Sequence, residues 1–233
     1  MNRLQNPNIE ILTRTVEKLG EVSSELVFLG GCATGLLLTD RAAPPLRVTY
    51  DVDAIVQVTS LVAYHQLSEK LRECGFREDA SDGAPICRWI AEGVMLDVMP
   101  TESHILVLAT DGIAWPLSMR NLSGCHPVMR SWVVAAPYFM CTKLEAFDGR
   151  GNGDYMASHD LEDLVAVLDG RPELTDEVEV AEPEVVDEIR RRFTQLSEDR
   201  RFLAALPGHL PGDPASQSRI PLLMRRIRLL AGI

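Results

Sequence analysis

One stretch of this chain constrains its folding more than any other: Tyr50-Asp51-Val52-Asp53-Ala54-Ile55-Val56-Gln57-Val58. Apolar side chains recur at every second position, the period of a strand with one buried face. A strand is expected over Arg47 to Val58. Tyr50, Val52, Ala54, Val56 and Val58 share one face; Asp51, Asp53 and Ile55 share the other. Two carboxylates side by side repel each other unless a positive charge lies between them. Magnesium answers that need, because it takes oxygen ligands and commonly uses one or two carboxylates plus substrate phosphates. A solvent-facing strand would tolerate the same pair, so the spacing alone leaves both readings open.

A third carboxylate sits in a comparable setting. Pro85 to Pro100 reads as a hairpin: a strand from Ile86 to Ala91, a turn at Glu92-Gly93, and a strand from Val94 to Met99. Asp97 lies within the second strand, with Val94, Leu96 and Val98 around it. If that strand neighbours the first, Asp51, Asp53 and Asp97 converge. Such a trio suits two-metal phosphoryl or nucleotidyl transfer, with Asp97 as ligand or base.

The rest of the chain reads as α/β, in the α+β sense: a mixed sheet flanked by helices, then a helical C-terminal part. Helices are expected over Asn8–Gly20, Cys32–Leu38, Ser60–Cys74, Pro137–Phe147 and Ser158–Asp169, then Pro183–Leu206 and Pro214–Leu230. Gly149, Gly151 and Gly153 read as a flexible loop. The pattern from His104 to Val134 is mixed. A division follows, with residues 1–134 as a core domain and 135–233 as a helical domain that completes the active-site cleft.

With 233 residues and 46% apolar content, the chain can bury a core of ordinary size. No apolar run approaches the ~20 residues needed to cross a bilayer, and the first residues lack the pattern of a signal peptide. The expectation is a cytoplasmic protein with no membrane association. Its net charge of −11 is poorly suited to broad, non-specific nucleic-acid binding. The only concentrated basic runs are Arg190-Arg191-Arg192 and Arg225-Arg226-Ile227-Arg228, which suit a solvated or salt-bridged helix face better than an RNA contact. Cys32, Cys74, Cys87, Cys125 and Cys141 show no CxxC spacing and read as reduced, mostly buried thiols.

Four further features bear on chemistry. Gly30-Gly31 falls at a strand-to-helix turn, where glycine lets a phosphate approach the backbone and the helix N-terminus faces the anion. An ordinary tight turn looks the same. Thr34 can add a hydroxyl donor. Lys143 has Phe139 and Phe147 four residues to either side, so it either snorkels along them or reaches a triphosphate. In Ser158-His159-Asp160-Leu161-Glu162-Asp163, either Ser158 or Asp160 can cap the helix. Asp160 is equally a partner for Lys143, while Glu162 and Asp163 read as acids favoured by the helix dipole.

Taken in order, these residues resemble the DNA polymerase beta-type nucleotidyltransferase superfamily. Its pattern of a hydrophobic residue and two small residues, an aspartate pair and a later carboxylate is matched by Leu29-Gly30-Gly31, Asp51-Val52-Asp53 and Leu96-Asp97-Val98. Within it the chain is most similar to the AbiEii/AbiGii-like toxin group. Arg47-Val48-Thr49-Tyr50-Asp51-Val52-Asp53 carries that group's motif, as do Lys143 to Arg150 and Asp160-Leu161-Glu162-Asp163-Leu164. The resemblance implies that Asp51, Asp53 and Asp97 bind Mg2+ and that Gly30, Gly31, Thr34, Arg47 and Thr49 border the nucleotide. Lys143 would contact the triphosphate with Asp160 in support. It further implies nucleotide transfer from an NTP to an acceptor hydroxyl, with tRNA as an acceptor and an antitoxin as a partner; the alternatives are transfer to a small molecule or a protein, and a non-catalytic nucleotide-binding regulatory module of the same fold. The segment Arg41–Leu46 lengthens the connection from Gly31 to Asp51 beyond what the group usually has.

Overall fold

The computed structural model describes residues 6–58, 60–101 and 132–233, with the backbone alone of 119–121. It is an α/β structure in which a mixed sheet carries helices. In chain order the elements are α1 (Pro7–Leu19), β1 (Leu26–Leu29), α2 (Gly30–Leu37), β2 (Asp51–Val56), α3 (Leu61–Glu73), β3 (Arg77–Glu78), β4 (Arg88–Ala91) and β5 (Val94–Pro100). Then come β6 (Met119–Asn121), β7 (Trp132–Val134), α4 (Ala136–Arg150), α5 (His159–Gly170), α6 (Leu174–Glu179), α7 (Pro183–Glu198), α8 (Arg200–Ala205), α9 (Pro214–Gln217) and α10 (Ile220–Ala231).

The chain divides into two compact units. The first holds residues up to Gly35 together with Arg47–Ala135; the second holds Leu36–Leu46 and Ala136–Ile233. The division expected at residue 134 took no account of the 36–46 segment. That segment groups with the second unit because the Thr39 and Asp40 amides both donate to the Gly170 carbonyl, at 2.8 and 2.9 Å. Arg171 strengthens the join by donating to the Leu37 carbonyl.

In the first unit the strands run in the order β3-β4-β5-β2-β1-β7-β6. β2 and β5 are parallel neighbours at the centre, and β1 lies antiparallel on the other side of β2. Val52 and Ala54 on β2 register with Leu96 and Val98 on β5, so these four, each 0% exposed, form one buried face of the central strands. The helix α1 packs on β2 and β5 through the expected stripe Ile9, Leu12, Val16 and Leu19, all buried. Ser60 caps α3 by accepting from the Ala63 amide.

The strand expected from Arg47 begins only at Asp51. Before that point the Thr49 amide donates to the Asn8 side chain instead of a neighbouring strand. Tyr50 therefore does not share the buried face of Val52; it is 72% exposed.

In the second unit α4 runs on to Arg150, so Gly149 belongs to the helix and not to a loop. Both long C-terminal helices expected from the sequence are broken. Asp199 leaves the helical conformation and caps α8, its carboxylate accepting from the Arg201 amide. Around Pro221, which cannot donate to the preceding turn, the last stretch splits into α9 and α10. The core of this unit includes Phe139, Leu161, Leu164, Val165, Leu168, Ile189, Phe193, Phe202 and Ile227, all fully buried. Cys32, Cys87 and Cys141 are buried and form no disulfide among the described residues; Cys125, His104 and His126 lie outside the described residues. Among the described residues no helix is long and apolar enough to cross a membrane.

Candidate active site

The first unit brings Asp51, Asp53 and Asp97 onto one face of two adjacent strands. In the parallel register of β2 and β5, Asp53 lies opposite Asp97 and Asp51 opposite Met95. Registered residues in neighbouring strands point the same way, so the three carboxylates line one side of the sheet. Asp97 is nearly covered, at 6% exposure; Asp51 and Asp53 are half-buried.

Gly30 closes the cluster from β1. Leu29 pairs with Asp53, and Gly30 follows at φ +71, a left-handed conformation that favours glycine. A side chain at Gly30 is excluded for a second reason. Its Cβ would lie 2.7 Å from Asp53 Cγ and 2.9 Å from Asp53 Cβ, inside the carboxylate's own volume. The first turn of α2 starts at this point, beside the Asp53 side chain. Thr34 is buried, and its hydroxyl donates back to the Gly30 carbonyl at 3.2 Å. That hydrogen is spent within the helix.

Thr49 and Arg47 are held beside the cluster. The Thr49 hydroxyl donates to Asp51 Oδ1 at 2.8 Å. Sequence reading passed over the residue that fixes this segment, Asn8, which is 1% exposed. Its Nδ2 donates to the Arg47 carbonyl at 2.8 Å and reaches the Gly31 carbonyl at 3.5 Å, while its Oδ1 accepts from the Thr49 amide at 3.0 Å. One buried amide thereby ties the glycine turn to the Thr49 approach of β2. An asparagine in the first turn of an amphipathic helix looks like a cap, and nothing local marks it otherwise; Asn6 is the actual N-cap.

Arg88 on β4 was also missed. It lies opposite Asp97 in the antiparallel register and grips it at two points, Nε to Oδ1 at 2.8 Å and Nη2 to Oδ2 at 2.8 Å. The same Nη2 stands 3.5 Å from Asp51 Oδ2. The hydrogen bond to Asp97 raises the Arg88 pKa further above its already high value. The neighbouring Cys87 thiol is pushed up to about 11, first by burial and then by the negative charge of Asp97. Arg88 could have been found from the same alternation that gives Asp97, because hairpin pairing across Glu92-Gly93 places the two opposite each other.

Oxygen donors from two strands are the ligand chemistry of a hard divalent ion. Among the described residues no group of three or more histidine, cysteine, aspartate or glutamate side chains is gathered as a metal cage. Asp97 is instead turned onto Arg88. The set fits the mode in which Asp51 and Asp53 supply the protein ligands and phosphates supply others.

Lys143, Asp160 and Asp163 lie in the second unit. Lys143 is 5% exposed, with Nζ 2.7 Å from Asp163 Oδ2 and 3.2 Å from Asp160 Oδ1, and 5.7 Å from the centre of the Phe139 ring. Asp163, expected as a dipole-favoured surface acid, is thus the nearer partner of the ammonium. Ser158 is the cap of α5, accepting from the Leu161 amide. Asp160 also takes two hydrogen bonds from Arg150, at 2.8 and 2.7 Å. Burial acts to raise the Asp160 pKa, but the Arg150 hydrogen bonds and the Lys143 charge outweigh it and hold the carboxyl below its usual value.

The basic runs are largely consumed within this unit. Arg191 pairs with Glu188, Arg192 with Glu188, Asp148 and Glu145. Arg226 donates to the Leu168 and Asp169 carbonyls at the end of α5. Compared with known proteins, the sequence matches no family model and no curated protein.

Proposed function

We propose that this chain is a magnesium-dependent nucleotidyltransferase that moves a nucleotide from an NTP to an acceptor hydroxyl. The observation that carries the proposal is the β2–β5 register, with Asp51, Asp53 and Asp97 on one sheet face beside Gly30. In this reading Asp51 and Asp53 hold the metal, oriented by Thr49 and by the strand. Magnesium, when bound, neutralises the triphosphate and lowers the pKa of the attacking hydroxyl. Asp97 acts as a further ligand or accepts the hydroxyl proton. The amides at Gly30 and Gly31 receive phosphate oxygens, and Arg47 borders the nucleotide. Thr34 supports the turn through the Gly30 carbonyl.

Lys143 and Asp160 enter with an added condition. For Lys143 to contact a triphosphate, with Asp160 in support, its ammonium must leave Asp163. A tRNA acceptor, an antitoxin partner and a cytoplasmic setting belong to the same proposal. The net charge of −11 supports a second acceptor class, a small cationic molecule such as an aminosugar.

The test is incubation with magnesium, each labelled NTP in turn and total tRNA, alongside Asp51→Ala and Asp53→Ala. Label entering tRNA only with the intact protein supports the RNA-directed reading and names the nucleotide. Label entering only small-molecule acceptors supports the second. Transfer that survives both substitutions rules out the metal site.

A further inference from the structure

Arg88 raises a question the proposed chemistry does not answer. An aspartate buried among apolar strand residues is costly when ionised, and costlier beside two others. Asp97 meets that cost through one guanidinium, which grips both of its oxygens at 2.8 Å and stands 3.5 Å from Asp51. The cation therefore sits on the carboxylate that the proposed reaction uses as ligand or base, and it touches one of the two expected metal ligands.

We infer that Arg88 is the resting counter-cation of the carboxylate cluster, holding Asp97 and Asp51 until a divalent ion takes its place, so that metal loading and Arg88 release are one exchange. The inference rests on the nucleotidyltransferase reading of this site. Two cations cannot occupy the same carboxylate edge, so the arginine and the metal compete. Competition has a thermodynamic signature that a plain structural ion pair lacks: removing Arg88 weakens the metal-free fold and strengthens metal binding together.

The experiment follows thermal unfolding of the full chain in a chelator and across a MgCl2 titration without nucleotide, with MnCl2 as a second probe read by calorimetry. The wild type, R88Q and R88K are compared, with Asp51→Asn and Asp53→Asn as controls. The exchange predicts that R88Q melts lower than wild type in chelator, recovers much of the difference at saturating metal, and binds metal roughly tenfold more tightly. R88K keeps the charge but loses the two-point grip, so it shifts the same way by a smaller factor; it carries the comparison if R88Q does not fold. A loss of stability that is equal with and without metal, at unchanged affinity, overturns the exchange and leaves the nucleotidyltransferase reading standing. A wild type in which neither the metal alone nor the metal with a non-hydrolysable NTP gives a response that the Asp51 and Asp53 variants abolish overturns the reading, and the exchange with it.

Discussion

Gly30 is the residue at which fold and proposed chemistry meet most closely. Its positive φ and the Asp53 carboxylate lying where a Cβ would go make the position intolerant of alanine for two separate reasons. Gly83 allows them to be separated, because its φ is +80 but nothing lies within 4 Å of its Cβ position. Gly83→Ala should carry the backbone cost alone, on the order of 1 kcal/mol. Gly30→Ala should cost about 1–3 kcal/mol more, since Asp53 must move, and should abolish stabilisation by NTP with magnesium. Denaturant titration with and without nucleotide measures both. Equal costs at the two positions would show that Asp53 does not depend on the absent side chain.

At the scale of elements, α1 does more than cover the sheet. Through Asn8 it fixes the approach to β2, and Asn8→Ala leaves the buried Thr49 amide without an acceptor. The expected loss is about 1–3 kcal/mol, with a matching loss of nucleotide binding in the same titration. In the second unit, α4 and α5 are joined through Lys143, Asp160 and Asp163. Lys143→Met removes the ammonium shared by two buried carboxylates, of which Asp160 keeps Arg150, and should cost about 3–5 kcal/mol.

The pH dependence of that joint follows from Asp160. Its folded pKa lies below the usual 3.8, so its contribution is present above pH 3.8 and is lost as pH falls through the folded value. Asp160→Asn should remove this part of the acid sensitivity, read as a flatter stability profile below about pH 4. The helices and central strands were legible because their periods of 3.6 and 2 record burial directly, as in Ile9-Leu12-Val16-Leu19 and Val52-Ala54-Val56. What escaped were contacts set by long-range register. Asn8 reaches residues near position 48, and Asp163 rather than Asp160 lies nearest Lys143, whereas Arg88 opposite Asp97 was readable from the hairpin. The breaks at Asp199 and Pro221 were written locally, in a capping carboxylate and a proline, but were outweighed by the apolar periodicity around them.

Across the whole molecule charge is unevenly placed. The segment from Pro214 to Ile233 contains Arg219, Arg225, Arg226 and Arg228 and no acid, whereas the chain as a whole carries −11. Arg219 is engaged by Asp169 and Asp40 and Arg226 by backbone carbonyls, which leaves Arg225 and Arg228 at the surface. Two exposed arginines on an acidic protein give little non-specific affinity for RNA. Random RNA without NTP should therefore not be retained at about 0.15 M salt in a filter-binding assay. Retention that Arg225→Ala and Arg228→Ala remove would identify that helix as an RNA contact instead.

Central to the proposed function is the holding of a divalent ion, carrying a nucleoside triphosphate, by Asp51 and Asp53. Its most direct test is a crystal structure of the intact protein with Mn2+ and a non-hydrolysable NTP, with the metal located by anomalous scattering. A metal peak is expected about 2.1 Å from oxygens of Asp51 and Asp53, with the phosphates running to the Gly30-Gly31 turn. A nucleotide bound elsewhere, or a peak that survives Asp51→Asn combined with Asp53→Asn, would contradict it.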